Sequence, residues 1–435
     1  MRQDPHPSPP LQAGEGAGGG QTDITMPEFF TLLAPDEARA KWFGALTPHM
    51  EAEAVSTADA LGRVTAEVLR SPEALPAFTR STVDGYAVRG ADTHGASAAL
   101  PAYLTVVGEV PMGQPASVRI GPGQAALVHT GGVVPPGADA VVMVENTQPV
   151  GEREIEVVRA VAIGENVLQV GEDIRPGDEI LPAGHELRPQ DLGGLLALGI
   201  VRISVARRPV VAVIATGDEV VPPEGPVRPG QVRDINSYTV AGQICKAGGI
   251  PRRCGIVSDD FGTLRARTAE ALSQADVVVL SAGSSVSVRD LTAGVFNDLG
   301  RPGVLVHGVA LKPGKPTILG VADGKPLVGL PGNPVSAMVA FSLFGVPLIW
   351  RMQGTREPDW PLVRARLVAN VASAAGREDY VAVRLRRADG GSLWAEPVFG
   401  KSNLIYILVH ANGLIRVPLD VTGVRAGEQV EVRLF

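Results

Sequence analysis

Val210-Val211-Ala212-Val213-Ile214-Ala215-Thr216-Gly217-Asp218-Glu219 decides the fold. An apolar run without alternation breaks abruptly into a polar cluster. A strand that does not alternate is buried on both faces, as in a parallel sheet covered by helices. The pattern then repeats. Residues 236–247 read as a helix, 255–257 as a strand, 263–273 as a helix and 276–280 as another buried strand. Strands separated by helices predict a doubly wound α/β domain over 208–354. Ligands of such sheets bind beyond the carboxyl ends of the strands. The polar clusters fall there: Thr216-Gly217-Asp218-Glu219, Ser258-Asp259-Asp260, and Gly283-Ser284-Ser285 followed by Asp290.

Outward from this domain the texture changes. Residues 26–70 read as helical, and 165–207 resume that theme with a helix over 190–198. Between them, 71–164 are short Val-rich strands cut by Gly and Pro, as at 103–107, 125–128 and 140–144, so an all-β module is inserted into an elongated helical linker domain. After 354 strands return at 362–367, 380–385, 393–397, 413–418 and 429–435, predicting a small C-terminal β barrel over 355–435. Residues 1–25 are rich in Gly, Pro and Gln and read as disordered. The fold class is thus multidomain α/β with a central parallel sheet.

A chain of 435 residues exceeds one ordinary domain. Its net charge of −7 argues against non-specific nucleic-acid binding. Cys245 and Cys254 form no CxxC pair and have no His cluster, which disfavours a zinc site and a disulfide framework. No run approaches the ~20 apolar residues of a membrane span. The stretch 337–350 carries Pro347 and reads as a buried helix and its end. No signal peptide is visible, so a cytoplasmic location is expected.

Two loops point at an anion. Leu311-Lys312-Pro313-Gly314-Lys315-Pro316 sets two lysines three apart on a stiffened backbone. Leu330-Pro331-Gly332-Asn333-Pro334-Val335-Ser336 leads into an apolar helix whose first amides are free donors. Glu219, Asp259, Asp260 and Asp290 end strands of the same sheet. Singly, each reads as a solvated or capping acid; Asp259 and Asp260 precede a helix. Together they repel unless a cation such as Mg²⁺ takes up their charge. Carboxylates would also repel an oxyanion held by Lys312 and Lys315. Two subsites follow: acids holding a metal and phosphates, and lysines holding a separate oxyanion. In the β module, Asp84 of Ser81-Thr82-Val83-Asp84-Gly85-Tyr86-Ala87 reads on composition as an Asp-Gly turn, and Thr130-Gly131-Gly132 as another turn.

Taken together these motifs resemble the MoeA family, the molybdopterin molybdenumtransferases that include the C-terminal domain of gephyrin. The resemblance covers about 26–435 and rests on Ser81 to Ala87, Thr130-Gly131 with Pro136-Gly137-Ala138-Asp139-Ala140-Val141-Val142, Gly171-Glu172-Asp173-Ile174, Thr216-Gly217-Asp218-Glu219, Ser284-Ser285 with Asp290, the Lys312 loop and the Pro331 loop. It implies that adenylylated molybdopterin and molybdate are substrates, and that molybdenum cofactor and AMP are released with Mg²⁺ present. It implies active-site roles for Asp84, Thr130, Asp173, Glu219, Asp259 and Asp290, with Glu219, Asp259 and Asp290 on Mg²⁺. Molybdopterin and AMP would meet Thr216, Gly217, Asp218, Gly283, Ser284, Ser285, Pro331, Gly332 and Asn333. Molybdate would meet Lys312, Lys315, Pro316, Ser336 and Arg377 of Gly376-Arg377-Glu378-Asp379-Tyr380. The resemblance further implies an elongated homodimer of four-part subunits, in which the Asp84 module reaches the partner's site, and contact with a molybdopterin adenylyltransferase. Ala282 and Ser287 stand where many relatives have glycine, Gly308 where some have lysine, and Ala382 where a basic residue is frequent. Two other readings stay open at this level: an adenylyltransferase, disfavoured by the four-part layout, and a gephyrin-like scaffold with a decayed site.

Overall fold

The computed structural model describes residues 32–47, 50–281, 286–355, 361–388 and 391–435, without the side chains of 286–289. The segment 1–25, read as disordered from composition, lies outside them.

The central sheet has six strands: β1 (Val210–Thr216), β2 (Ile250–Val257), β3 (Val277–Ser281), β4 (Pro302–His307), β5 (Ile318–Ala322) and β6 (Lys325–Leu330), in the order β2-β1-β3-β6-β5-β4. Alternate residues of β1 enter opposite cores. Val211 and Val213 pack with Val240, Ile244, Phe341 and Phe344. Ala212 and Ile214 pack with Leu264, Ala271 and Phe296. Both faces are covered, which is why the strand sequence does not alternate.

The sheet is mixed, and this corrects the parallel expectation. β2, β1, β3 and β6 are parallel, whereas β5 runs antiparallel to β6 and β4 antiparallel to β5. The cause is the two-residue turn between paired Ala322 and Lys325, with Asp323 at φ 48° and Gly324 at φ 85°. Such a turn joins only antiparallel neighbours.

Pro334–Met352 is the sheet's most apolar helix, with Phe341 and Phe344 each 1% exposed. Its length and composition would allow a membrane crossing, but its apolar window is 72% buried inside the protein. Pro347 lies inside this helix and does not end it.

The segment read as helical over 26–70 is different. Its one α-helix among the described residues, Pro35–Gly44, packs on the central sheet, where Trp42 is buried and its Nε1 donates to the Gly320 carbonyl at 2.8 Å. Beyond it the chain is extended: Ala52–Ser56 pairs antiparallel with Arg202–Ala206, and Leu69–Arg70 with Glu179–Leu181. The Pro35 helix opening is a local signal, but pairing across some 150 residues of sequence has none.

The chain leaves this body after Arg70 and returns at Val167–Leu168, which pairs with Arg80–Ser81. The six-stranded β half-barrel lies between, around Val88, Leu104, Ala125, Val142 and Ile155. Farther on, Pro189–Ala197 begins at Arg188, whose N, Nε and Nη2 donate to Asp191, with His185 Nε2 2.7 Å away. The Arg188 guanidinium, foremost among these, holds the Asp191 carboxyl well below its usual range. A carboxyl depressed in the folded state contributes fully above its unfolded value of about 3.9, and that contribution fades as pH falls below it. Asp191→Asn is therefore expected to remove about 1.5–3 kcal/mol of stability at neutral pH and to shrink the wild-type advantage in acid. Urea unfolding at pH 7 and pH 3 reads both.

The C-terminal barrel has five strands, Leu362–Leu367, Glu378–Arg387, Leu393–Pro397, Gly413–Val417 and Gln429–Leu434, and closes where Glu378–Arg387 pairs with Gly413–Val417. A short strand of the central domain, Leu311–Lys312, joins its edge in parallel with Glu378 and Asp379. This pairing fixes the Lys312 loop between the two domains.

Candidate active site

The registers define one edge of the central sheet. Val257 pairs with Thr216, Ala215 with Ser281, Ser281 with Leu330, Gly329 with Ile318, and Ile318 with His307. The carboxyl ends of β2, β1, β3 and β6 therefore lie in line with the start of β5 and the end of β4. Antiparallel β5 brings the 308–317 loop to the edge that carries Thr216 and the Pro331 loop. From β1 to β5 this rim spans about 14 Å at ~4.8 Å per strand.

At the acidic end, Thr216 is buried and its Oγ1 donates to Asp259 Oδ1 at 2.7 Å. The Asp259 N–H donates to Asp218 Oδ1 at 3.2 Å. Gly217 sits at φ 144°, where a Cβ would lie 2.7 Å from both Glu219 Oε2 and Val220 Cγ2. Only glycine lets the chain turn from a buried strand into this acid pair without strain. The Glu219 carbonyl accepts from Val232 N at 2.8 Å. Asp260 is separate: it caps Phe261–Gln274 by accepting from Thr263 N at 2.8 Å, and the Thr263 hydroxyl and amide hold its carboxyl below the usual range.

Glu219, Asp259 and Asp290, which the resemblance places on Mg²⁺ together with substrate phosphates, are not gathered into one cluster. Among the described residues no group of three or more His, Cys, Asp or Glu side chains is placed to hold an ion. They follow three different strands, and one Asp259 oxygen already accepts from Thr216. The donor set still suits Mg²⁺ of the kind bound by one or two carboxylates with the remaining positions left to water and substrate phosphates. Gly283, Ser284, Ser285 and Ala282 lie outside the described residues, as does the side chain of Ser287.

In mid-rim stands Asn236, which the sequence did not single out. Its Nδ2 donates to Ser281 Oγ at 2.9 Å and to the Gly332 carbonyl at 2.8 Å. It thus ties the end of β3 to the Pro331 loop. The next residue is positioned by Asp234, whose Oδ1 accepts from Ser237 N at 3.0 Å. Asn236→Ala strands the Gly332 carbonyl. The expected loss is about 1–3 kcal/mol of stability with a loosened Pro331 loop, read by denaturant unfolding and by hydrogen exchange at 330–336.

At the basic end a cavity of about 760 Å³ opens between the sheet domain and the barrel, within the size range of ligand sites. Lys312, Lys315, Pro316, Pro331, Asn333, Ser336 and Arg377 all line it. Asp379, 1% exposed, accepts from Lys312 Nζ at 3.1 Å and from Arg377 Nε at 3.0 Å. Its neighbour Glu378 faces the other way, as strand residues do, onto Arg416 and the Tyr380 hydroxyl. Burial, then the Glu378 charge, push the Tyr380 phenol up. The Lys315 carbonyl accepts from Val309 N at 2.9 Å, and the Gly314 carbonyl accepts from Thr317 Oγ1 at 2.6 Å, so the loop is internally braced. Gly308 has φ 95°, a backbone conformation that strains any other residue, and a Cβ there would have to displace the end of the Leu32 side chain, 2.9 Å away. Asn333 Nδ2 donates to Ser402 Oγ at 3.0 Å, and Val335 N to the Ser402 carbonyl at 3.1 Å, pinning the barrel to the start of the Pro334 helix.

Asp84, Thr130 and Asp173 are not brought to this rim. Asp84 Oδ1 accepts from Thr130 N at 2.8 Å and Thr130 Oγ1 at 3.1 Å, which holds its carboxyl below the usual range, the backbone bond foremost. Asp173 is exposed and its N–H donates to the Leu75 carbonyl at 3.0 Å. Among the described residues, no hydrogen bond or ion pair of these side chains reaches the sheet edge.

Comparison with known proteins gives the same layout in sequence order. Residues 33–199 match the MoeA N-terminal region (domain I and II), 212–351 a probable molybdopterin binding domain, and 364–435 the MoeA C-terminal region (domain IV). A molybdopterin molybdenumtransferase of Nostoc sp. is 34% identical over 395 residues, 89% of each chain. The chain belongs to the MoeA family. A molybdopterin molybdenumtransferase of Bacillus subtilis is 33% identical over 389 residues, 88% of this chain and 90% of that one. The MoeA protein of Pyrococcus horikoshii superposes with a TM-score of 0.81 at 31% identity, covering 93% of this chain and 100% of that one. The MoeA architecture of mixed central sheet, β half-barrel and five-stranded C-terminal barrel is therefore that of this chain.

Proposed function

We propose that this enzyme inserts molybdenum, delivered as molybdate, into adenylylated molybdopterin and releases AMP. The observation that carries the reading is the single rim on which acids and cations occupy different stretches. Such a rim suits an elongated substrate that offers its phosphates and its metal-accepting sulfurs to different neighbours. At the acidic stretch Thr216, Gly217 and Asp218 shape the backbone that meets the nucleotide, and Asp259 fixes Thr216. Mg²⁺, held by one or two of Asp259, Glu219 and Asp290 together with substrate phosphates and water, would supply charge neutralisation for pyrophosphate cleavage. In mid-rim, Pro331, Gly332 and Asn333 position the pterin. At the basic stretch Lys312, Lys315, Ser336 and Arg377 hold the tetrahedral dianion by point charges and fixed donors. The metal-binding sulfurs belong to the substrate, so the chain's own cysteines take no part.

Asp84, Thr130 and Asp173 enter this scheme through a partner subunit of a homodimer, each β module facing the other chain's rim. The enzyme works in the cytoplasm and takes its adenylylated substrate from a molybdopterin adenylyltransferase.

The test incubates purified protein with adenylylated molybdopterin, Mg²⁺ and molybdate. AMP formed together with cofactor that activates a molybdoenzyme supports insertion. ATP consumption with free molybdopterin would instead assign adenylylation, and binding without turnover would assign a scaffold.

A further inference from the structure

The cavity at the basic end is lined by four cations, Lys312, Lys315, Arg377 and Lys401, and by one carboxylate, Asp379. Asp379 engages two of the cations, Lys312 and Arg377, through its two oxygens. A dianion approaching that pair also meets the charge of Asp379. Lys315 and Lys401 are exposed, and among the described residues neither has a carboxylate partner. The uncompensated positive charge of the cavity therefore lies on these two.

Lys401 is also held in place. The residue after it, Ser402, is bonded through its carbonyl to Val335 N at 3.1 Å and through its hydroxyl to Asn333 Nδ2 at 3.0 Å. Lys401 thus sits beside the start of the helix that carries Ser336, and Ser336 lines the same cavity. On its other side, Val398 N donates to the Ala382 carbonyl at 2.8 Å, so the 398–402 segment borders Ala382. Ala382 lines the cavity with a bare methyl. A flexible lysine stem can reach across space that such a methyl leaves open.

Building on the molybdate reading of this cavity, we propose that Lys401 contacts the oxoanion directly and, with Lys315, supplies the cationic charge that Asp379 offsets on Lys312 and Arg377. Lys401 is then a determinant of oxoanion affinity beside the open space at Ala382.

Calorimetric titration of the full-length protein with molybdate, and separately with tungstate, tests this. Lys401→Ala is expected to weaken oxoanion binding roughly tenfold, the loss of one charge-assisted contact. Lys401→Arg is expected to stay near wild type, and Ala382→Arg added to Lys401→Ala to restore binding. In turnover, Lys401→Ala should raise the KM for molybdate and leave kcat for AMP release unchanged. If wild type binds oxoanion and Lys401→Ala binds it equally well, the role of Lys401 is overturned. If wild type itself binds neither oxoanion, the reading of the cavity fails first.

Discussion

Asp379→Ala is expected to raise the molybdate concentration for half-maximal cofactor formation by roughly tenfold, because Lys312 and Arg377 lose their fixed geometry, a loss that removal of the negative charge facing the dianion only partly offsets. Asp379 is the one acid of the basic cavity, and its burial means that its charge serves Lys312 and Arg377 alone. The side chains of those cations are 54% and 39% exposed, so without Asp379 water takes them and their geometry is lost. The same residue lies opposite Lys312 where the central domain adds its strand to the barrel. Breaking such a pair costs about 3–5 kcal/mol when both partners are buried; here the exposed cations are resolvated, and a smaller loss is expected. Asp379→Asn keeps an acceptor and should fall between wild type and alanine. Steady-state kinetics with molybdate varied, beside a thermal melt, separate the roles. A lowered Tm with unchanged KM would make Asp379 a structural brace only.

Asp259→Ala carries the second large effect, at the other end of the rim. Its carboxylate fixes Thr216 Oγ1, and its amide is held by Asp218. Removing it loosens the turn that faces the phosphates and deletes a proposed Mg²⁺ contact. AMP release is expected to slow by about 10²–10³, the scale measured for loss of one organised polar group in an active site. Molybdate affinity should stay within twofold, because β2 and β5 are four strand spacings apart, about 19 Å. Single-turnover AMP release and oxoanion titration of one preparation check both halves. Equal damage to both would mean that the two stretches are not independent.

Much of this site was legible in the sequence because its signals are local. Val210 to Glu219 announces a buried strand and its polar exit, and Lys312 to Pro316 a stiffened basic turn. What was missed depends on pairing. Asp379 gains its role from a partner 67 residues away, and a strand aspartate looks solvated until that partner is known. Asn236 reads as an ordinary helix start, and its bonds to Ser281 and Gly332 span 45 and 96 residues. The antiparallel half of the sheet did have a local signal, Asp323-Gly324 between apolar runs, the usual mark of a tight hairpin. The pairing of Ala52–Ser56 with Arg202–Ala206 had none, and the segment was read as helical from its opening alone.

The most direct test of two stretches on one rim is a crystal of the protein soaked with tungstate and AMP, with data collected at the tungsten edge. An anomalous peak is expected in the cavity lined by Lys315 and Ser336, with the AMP phosphate beside Thr216 and Asp259 on the same sheet edge. Tungsten bound away from that cavity, or AMP phosphate lodged among the lysines, would contradict it.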